Sequence, residues 1–224
     1  AVVLDLDGLQ GGGLAKLQTI GDKIQKVRDA GKKVIAIGSG YTRDQYYLAS
    51  RADEVIMHEL GLVYLEGYDY YRMFFRSALE KLQVDLNVFR VGEFKSFVEP
   101  FIRDDMSAED REASQVWLSG LWSAWERDVA AARKLKPGAL QSYADDLASR
   151  IEAEKGNAAR AAVNAGLVDR LMSRPDVDDY LMGLVGASKA DDGTYSAIDF
   201  RAYALATGIE QRLRRRIQVG HGHA

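Results

Sequence analysis

Lys95 is the residue in this sequence most suited to catalysis, because it stands among the apolar side chains of Phe94, Phe97 and Val98. A lysine in water has a pKa near 10.4, so at neutral pH it is protonated and a poor base. Apolar surroundings disfavour the ammonium form. To act as a general base, Lys95 needs a pKa lowered by about 3, or roughly 4 kcal/mol of differential desolvation. The alternative is a lysine stem that lies along the surface and keeps its ammonium group in water.

The lysine block, residues 91–107, extends this pattern with the sequence V-G-E-F-K-S-F-V-E-P-F-I-R-D-D-M-S. It resembles, almost without interruption, the segment that carries the catalytic lysine in the signal peptide peptidase A (protease IV) family. The closest resemblance is to the long bacterial type, which has two halves. Looser similarity runs from Val2 to about Leu171. The resemblance implies that this chain is the N-terminal half and that Lys95 is the general base for a serine in the C-terminal half.

The place where the resembled enzymes carry their serine has a different sequence here. In their catalytic half, an A-S-G-G-Y-Y-type motif presents the serine at the start of a helix that follows a strand. This chain has T-R-D-Q-Y-Y-L-A at the matching place, residues 42–49, so that Arg43 replaces the serine and Asp44 the glycine. Arginine cannot attack a carbonyl, and a carboxylate would repel a developing oxyanion. We therefore expect no nucleophile at this place, and we expect the Thr42 and Ser39 hydroxyls to serve a helix cap and a turn.

The resemblance also implies a substrate and a location. The substrate would be the hydrophobic remnant of a signal peptide. The protein would be a homotetramer on the periplasmic, outer side of the bacterial cytoplasmic membrane, held there by an N-terminal anchor that precedes this segment. Neither a metal ion nor an organic cofactor is implied.

Other polar residues have simpler explanations. Ser96 adjoins Lys95, but neighbours on an extended segment point to opposite faces, which argues against a Ser96–Lys95 dyad. Glu93 and Glu99 would raise the pKa of Lys95 if they faced it, so the hypothesis requires them to be engaged elsewhere. Structural roles are predicted for three further groups: the triple glycine 11–13 forms a tight turn, Asp104-Asp105 a loop leading into a helix cap, and His58 lies at a strand end.

The elements before and after the lysine block define the fold class. Apolar strands are predicted at 2–6, 33–37, 54–58, 62–65 and 86–91, and helices at about 14–30, 42–52 and 69–83, where Met73 and Leu82 are expected to face inward. This alternation predicts an α/β fold with a mostly parallel sheet built from βαβ units. The resemblance makes it a spiral like that of the crotonases and Clp protease subunits, with a helical extension.

Helices dominate after the block. They are predicted at 107–135 with Ser107 as N-cap, then at 140–153, 158–164 and 176–185, with a short strand at 166–169 and a strand or extended arm at 195–203. We expect residues 1–188 to form one domain, with the helical extension at about 107–165. Residues 189–224 would form a weakly patterned arm that leads to the second half. Among the tryptophans, Trp117 is predicted in the core, and Trp122 and Trp125 at a subunit interface.

Composition narrows the possible classes. The 224 residues are 47% hydrophobic and 28% charged, as in ordinary globular proteins, and the formal charge of −3 gives no basic field for nucleic acid. The absence of cysteine excludes disulfides and thiol catalysis. No apolar run of about 18 residues is present to span a membrane.

Three alternatives remain open from the sequence. The first is a non-catalytic crotonase-like scaffold or oligomerisation domain. The second is a crotonase-type acyl-CoA enzyme, which would need two amides aimed at a thioester and a nearby carboxylate that the sequence does not reveal. The third is a chain that is active alone through an unrecognised serine.

Overall fold

The computed structural model describes residues 1–84, 96–189 and 193–208. The predicted strand at 86–91 and the basic run at 212–216 lie outside these ranges. The chain divides into two compact units, Ala1–Leu171 and Met172–Ala224.

Parallel pairing organises the first unit. In chain order, the strands are β1 (Val2–Asp5), β2 (Val34–Gly38), β3 (Tyr41–Thr42), β4 (Glu54–Met57), β5 (Val63–Tyr64) and β6 (Arg170–Leu171). Four of them form one parallel sheet in the order β1-β2-β4-β6, and β3 pairs with β5 in a second parallel sheet. The register places Val2 opposite Val34, and Ile35 opposite Glu54. The prediction of a mostly parallel sheet is confirmed.

The central strands are buried on both faces. In β2 the residues Val34 to Ile37 are all buried, and so is the whole of β4. Continuous apolar runs of this kind are typical of parallel strands covered on both sides. At the carboxyl end of the sheet, the residues that follow β1 and β2 are in contact, because the Ser39 amide donates to the Asp7 carboxylate.

The helices of the first unit are α1 (Leu14–Asp29), α2 (Arg43–Ala49), α3 (Arg76–Lys81), α4 (Glu99–Ile102), α5 (Ala108–Arg133), α6 (Ala139–Asp145), α7 (Leu147–Ala153) and α8 (Ala158–Asn164). A short 3-10 turn, Ser96–Val98, precedes α4. The main core includes Leu17 of α1, Tyr46 and Tyr47 of α2, and Ala159 of α8. Helix α2 therefore contributes a fully buried side that holds its first residues in place.

Helix α5 packs differently from the prediction. Its cap is as predicted, because the Ser107 hydroxyl accepts a hydrogen bond from the Asp110 amide. Trp125 and Val129, near its C-terminal end, are fully buried, whereas Trp117 is 45% exposed. The prediction of Trp117 as core and Trp125 as interface was therefore wrong. The core lies against the C-terminal part of the helix, which the apolar periodicity alone does not specify.

Two predicted helices are shorter or interrupted. The helix predicted at 69–83 is limited to α3, with Met73 and Leu82 more than 70% exposed rather than facing inward. The helix predicted at 140–153 is two helices, α6 and α7, that meet at Asp146. The strand predicted at 166–169 lies slightly later, at β6.

The second unit contains α9 (Arg174–Val185) and α10 (Phe200–Ala206). Part of the predicted strand or arm at 195–203 is the start of α10, because Asp199 caps that helix by accepting from the Arg201 and Ala202 amides. An antiparallel bridge joins Ala187 and Tyr195. Within the described part of the chain, no helix combines the length and apolar character needed to cross a bilayer.

Candidate active site

Two regions carry the residues singled out from the sequence. The first is the lysine block, residues 91–107. The second is the α2 entrance, residues 42–45, together with the glycine loop, residues 11–13.

Lys95, the predicted base, lies outside the described residues, as do Phe94 and Glu93. The structure describes the lysine block from Ser96 onward. Ser96 opens the 3-10 turn, and Phe97, one of the three predicted apolar neighbours of Lys95, is 81% exposed. Val98 is partly buried. The Phe97 side chain therefore keeps most of its surface available to a further partner.

The Glu99 carboxylate is engaged by Ser107. It is only 3% exposed, and its carboxylate accepts hydrogen bonds from the Ser107 hydroxyl at 2.6 Å and the Ser107 amide at 3.2 Å. Ser107 is also the N-cap of α5, so this contact joins Glu99 of the lysine block to the start of that helix. The requirement that Glu99 be engaged elsewhere is met.

Asp104 and Phe75 anchor the same segment to α3. The Asp104 carboxylate accepts from the Ser77 hydroxyl at 2.6 Å and the Ser77 amide at 2.9 Å, and these hydrogen bonds lower the pKa of Asp104. The Phe75 amide donates to the Pro100 carbonyl at 2.6 Å. Asp105 pairs with Arg103 at 3.2 Å. Across the described ranges, no three or more His, Cys, Asp or Glu side chains are grouped so that they could hold a metal ion.

The α2 entrance is a capped helix start. The Thr42 hydroxyl accepts from the Gln45 amide at 3.5 Å, and the Gln45 side-chain oxygen accepts from the Thr42 amide at 2.8 Å, which is a capping box. The Gln45 side-chain nitrogen also donates to the Leu6 and Leu9 carbonyls, both at 3.0 Å. Thr42 therefore has the predicted capping role, and the entrance is tied to the loop after β1.

Asp44 fills the anion position of the glycine loop. The Gly12 amide donates to Asp44 Oδ2 at 3.0 Å. Gly11 has a φ of +125°, and a Cβ at this residue would lie 3.0 Å from the same oxygen, so only glycine allows this approach. In an acyl-transfer site, backbone amides of this kind donate to an oxyanion. Here the Gly12 amide donates to a carboxylate of the same chain.

Arg43 neutralises that carboxylate and is itself held on several sides. Its Nε lies 3.0 Å from Asp44 Oδ1, and both side chains are about 85% buried, with exposures of 16% and 15%. A second guanidinium nitrogen donates to the Gly67 carbonyl at 2.7 Å, and the guanidinium carbon lies 3.8 Å from the centre of the Tyr68 ring. The Arg43 carbonyl accepts from the Trp125 indole at 3.3 Å.

The α2 entrance therefore combines a capped helix start with a backbone amide that donates to a carboxylate of the same chain. No side chain among residues 42–45 is a free nucleophile, because Thr42 caps the helix and Arg43 and Asp44 form an ion pair. Ser39 has the structural role predicted for it, since its hydroxyl and amide both donate to the Asp7 carboxylate. The His58 ring accepts from the Leu60 amide in the turn after β4.

Comparison with known proteins identifies the family of this chain. Residues 26–188 match the family described as Peptidase family S49. The chain belongs to peptidase family S49. It is 39% identical over 202 residues to Protease 4 of Haemophilus influenzae, and 38% identical over 206 residues to Protease 4 of Salmonella typhi. These alignments cover 90% and 92% of this chain but 32% and 33% of the relatives.

A more distant relative is the chloroplastic serine protease SPPA of Arabidopsis thaliana. It is 24% identical over 203 residues, which are 91% of this chain and 28% of that protein. The chain thus spans about a third of the length of the curated relatives it matches. The resemblance to signal peptide peptidase A is confirmed, and so is the α/β, crotonase-like fold class. The base role of Lys95 stays a prediction.

Sequence reasoning missed what Asp44 does in this S49 chain. The replacement of glycine by aspartate predicts the loss of an oxyanion donor, but it does not predict that the carboxylate reaches the glycine loop. The two groups are 32 residues apart, and only the folded β1–α1 connection brings them together. An acidic residue beside an arginine at a helix start is the signal that could have suggested an internal ion pair.

Proposed function

We propose that this chain is the lysine-bearing part of a serine endopeptidase, in which Lys95 is the general base for a serine located in another segment. The single observation that supports this most strongly is the nearly continuous lysine block in a chain of peptidase family S49. The α2 entrance adds a second argument, since its nucleophile position holds Arg43 and its anion position holds Asp44. The serine must therefore come from elsewhere.

The proposed reaction is amide hydrolysis through an acyl-enzyme. Lys95 in its neutral form takes the proton of the serine hydroxyl as the oxygen attacks the carbonyl, and gives that proton to the leaving amine nitrogen as the C–N bond breaks and the acyl-enzyme forms. Neutral again, it takes a proton from the water that attacks the ester, and returns it to the serine oxygen as the acyl group is released. Phe97, which is 81% exposed, supplies an apolar surface that the serine-bearing segment can cover. Covering this surface would remove water from the lysine and lower its pKa.

The wider proposal follows the resemblance. The serine would lie in a C-terminal half of the same protein, and the assembly would be a homotetramer anchored to the outer side of the bacterial cytoplasmic membrane. Its substrates would be hydrophobic remnants of signal peptides. The intact mass of the protein from its source, combined with a search of the remaining sequence for an A-S-G-G-type serine, tests the first of these points.

The decisive experiment replaces the lysine in the full-length protein. Lys95→Ala removes the base, and Lys95→Arg keeps the positive charge but cannot release a proton at working pH. We expect both to lower the rate of serine acylation by about 10²–10⁴-fold, measured with a fluorophosphonate probe and with peptide hydrolysis. Lys81→Ala, at the exposed end of α3, is the control and should leave the rate unchanged.

A second candidate is a non-catalytic scaffold, which the closed ion pair at the α2 entrance favours. The same variants separate the two. If Lys95→Ala and Lys95→Arg retain full acylation with the fold intact by circular dichroism, the base role is wrong and the scaffold function replaces it.

A further inference from the structure

The start of α5 holds a network of buried polar side chains that no step of the proposed reaction uses. This polar network runs from Glu99 in α4 through Ser107 and Asp110 to Arg72, in the segment before α3. Glu99 and Ser107 are 3% and 6% exposed, and the side chains of Arg72 and Asp110 are 14% and 13% exposed. Charged side chains are seldom buried to this extent unless defined partners engage them.

Each contact of the polar network is directional. Both oxygens of the Glu99 carboxylate accept from Ser107, one from the hydroxyl at 2.6 Å and the other from the amide at 3.2 Å. The Ser107 hydroxyl oxygen accepts in turn from the Asp110 amide at 3.1 Å, and the Asp110 carboxylate accepts from the Arg72 guanidinium at 2.9 Å. Because two acceptors of one side chain meet two donors of one residue, the orientation of Glu99 is fixed as well as its position.

Helix α4, which begins with Glu99, depends on tertiary contacts for its place. It has only 4 residues, too few for its own hydrogen bonds to keep it formed. Besides the contact of Glu99 with Ser107, the Pro100 carbonyl accepts from the Phe75 amide at 2.6 Å, and the Phe75 and Phe101 rings stack with centroids 6.2 Å apart. Loss of the Glu99 contact would therefore leave α4 attached on the Phe75 side alone.

The anchored segment leads directly back to the lysine in the sequence. The 3-10 turn Ser96–Val98 ends immediately before Glu99, and its first residue follows Lys95. A general base has to reach within about 2.6–3.2 Å of the proton that it takes. A misplacement of about 1 Å, caused by a change away from the chemistry, can cost about 10²-fold in rate. A fixed carboxylate at the end of this turn is therefore suited to set the position of the base.

We propose that Glu99 is a positioning residue for catalysis, which acts by fastening the 3-10 turn that follows Lys95 to the start of α5 through Ser107. This inference rests on the proposed function, because it takes Lys95 to be the base. Glu99 is too buried to touch substrate, so its effect is on the rate of the chemical step and not on substrate binding. Arg72 and Asp110 support the same contact, since the Asp110 amide donates to the Ser107 hydroxyl.

Acylation kinetics of the full-length protein that contains this chain test the role of Glu99. We expect Glu99→Ala to lower the maximal rate of acylation by a fluorophosphonate about 10–100-fold and to leave the half-saturating concentration unchanged. Glu99→Gln offers one acceptor where the carboxylate offers two, so its rate should lie between those of Glu99→Ala and the unsubstituted protein. All rates are compared at a temperature at which circular dichroism shows every variant to be folded.

Ser107→Ala and Asn157→Ala form a matched pair that separates positioning from loss of stability. Each removes a side chain that caps a helix, because the Asn157 side chain accepts from the Arg160 amide at 2.8 Å at the start of α8. The two should therefore lose similar amounts of stability. Only Ser107→Ala also removes a hydroxyl that donates to Glu99. We expect Ser107→Ala to lower the acylation rate and Asn157→Ala to leave it unchanged.

A distance measurement follows the 3-10 turn independently of catalysis. Nitroxide labels on Phe97→Cys and Ser123→Cys, two exposed positions, report the distance between the turn and α5 by double electron–electron resonance. This chain has no cysteine of its own, and any cysteine in the rest of the full-length protein is replaced by serine. Adding Glu99→Ala should shift or broaden the distance distribution, and adding Asn157→Ala should not.

The outcomes separate this inference from the proposed function. If Lys95→Ala lowers acylation as expected while folded Glu99→Ala reacts at the unchanged rate, the positioning role is overturned and the proposed function stands. An unchanged distance distribution in Glu99→Ala, or an equal loss of rate in Asn157→Ala, also overturns the positioning role. Full acylation by Lys95→Ala would contradict the proposed function itself, and the positioning of that base would fall with it.

Discussion

The α2 entrance and the lysine block differ in how their charged groups are held. The α2 entrance keeps the helix cap, the glycine loop and a backbone amide directed at an anion, but a carboxylate of the same chain accepts from that amide. The lysine block carries the ionisable group suited to proton transfer, and its described residues are fastened to α3 and α5 rather than to the entrance. The charges of the entrance are therefore closed within one ion pair, whereas carboxylates tie the described part of the lysine block to neighbouring helices.

Glu99 offers the largest structural test of this division, because its buried carboxylate fastens the lysine block to α5. We expect Glu99→Ala to lower the free energy of unfolding by about 2–3 kcal/mol, since two hydrogen bonds to a charged group are lost. Urea unfolding followed by circular dichroism measures this change. Glu99→Gln keeps an acceptor for Ser107 and should lose less.

The control for Glu99 is Glu112→Ala, at an exposed position of α5, which should change stability by less than about 0.5 kcal/mol. If Glu99→Ala were as stable as this control, the lysine block would not be fastened through Ser107, and the contrast with the α2 entrance would be lost.

Asp44 tests the other region. Asp44→Ala breaks the ion pair with Arg43 and removes the acceptor of the Gly12 amide, so we expect a loss of about 1–2 kcal/mol in the free energy of unfolding. The matched control is Glu80→Ala, which breaks the Arg76–Glu80 pair, where both side chains are more than half exposed. Exposed pairs of this kind contribute little, typically about 0.3–0.5 kcal/mol.

Equal losses in Asp44→Ala and Glu80→Ala would contradict the view that the α2 entrance is closed by a buried anion. Amide exchange at Gly12 gives an independent measurement, because this amide should lose protection in Asp44→Ala and keep it in Glu80→Ala.

The smallest expected effect on stability is that of Asp104, and it is seen only at acid pH. Its pKa is lowered in the folded chain by the hydrogen bonds from Ser77, so the ionised form is the one that the fold stabilises. The contribution is present above the unfolded pKa, near 3.9, and is lost as the pH falls through the lower folded value. The Ser77 amide shift in an NMR titration should therefore change with a midpoint below about 3.9. In Asp104→Asn this transition should disappear, whereas a midpoint at or above 3.9 would refute the assignment.

Sequence patterns anticipated those parts of the fold that depend on continuous burial. The runs Val34 to Ile37 and Glu54 to Met57 read as strands, and the parallel sheet follows because both faces are covered. The helix N-caps Thr42 and Ser107 were also predicted from the sequence. These features depend on neighbours in the sequence, so the sequence contains the information needed to predict them.

Features that depend on partners far away in the sequence could not be predicted. Trp117 and Trp125 lie on one helix, and only the position of the core decides that the second is buried. The helix predicted at 69–83 is short because Met73 and Leu82 are not packed against the core, and the end of the predicted arm is helical because Asp199 caps it. At the site, the contact between Asp44 and Gly12 depends on a tertiary arrangement that no spacing encodes.

The ion pair between Arg43 and Asp44 also limits how this region can evolve. Replacing either residue alone leaves the other as a charge in a site about 85% buried, and an uncompensated buried charge is costly. A change at either position alone is therefore expected to cost stability, whereas a change that removes both charges together leaves no lone buried charge. Selection for stability alone would then preserve Arg43 and Asp44 as a pair.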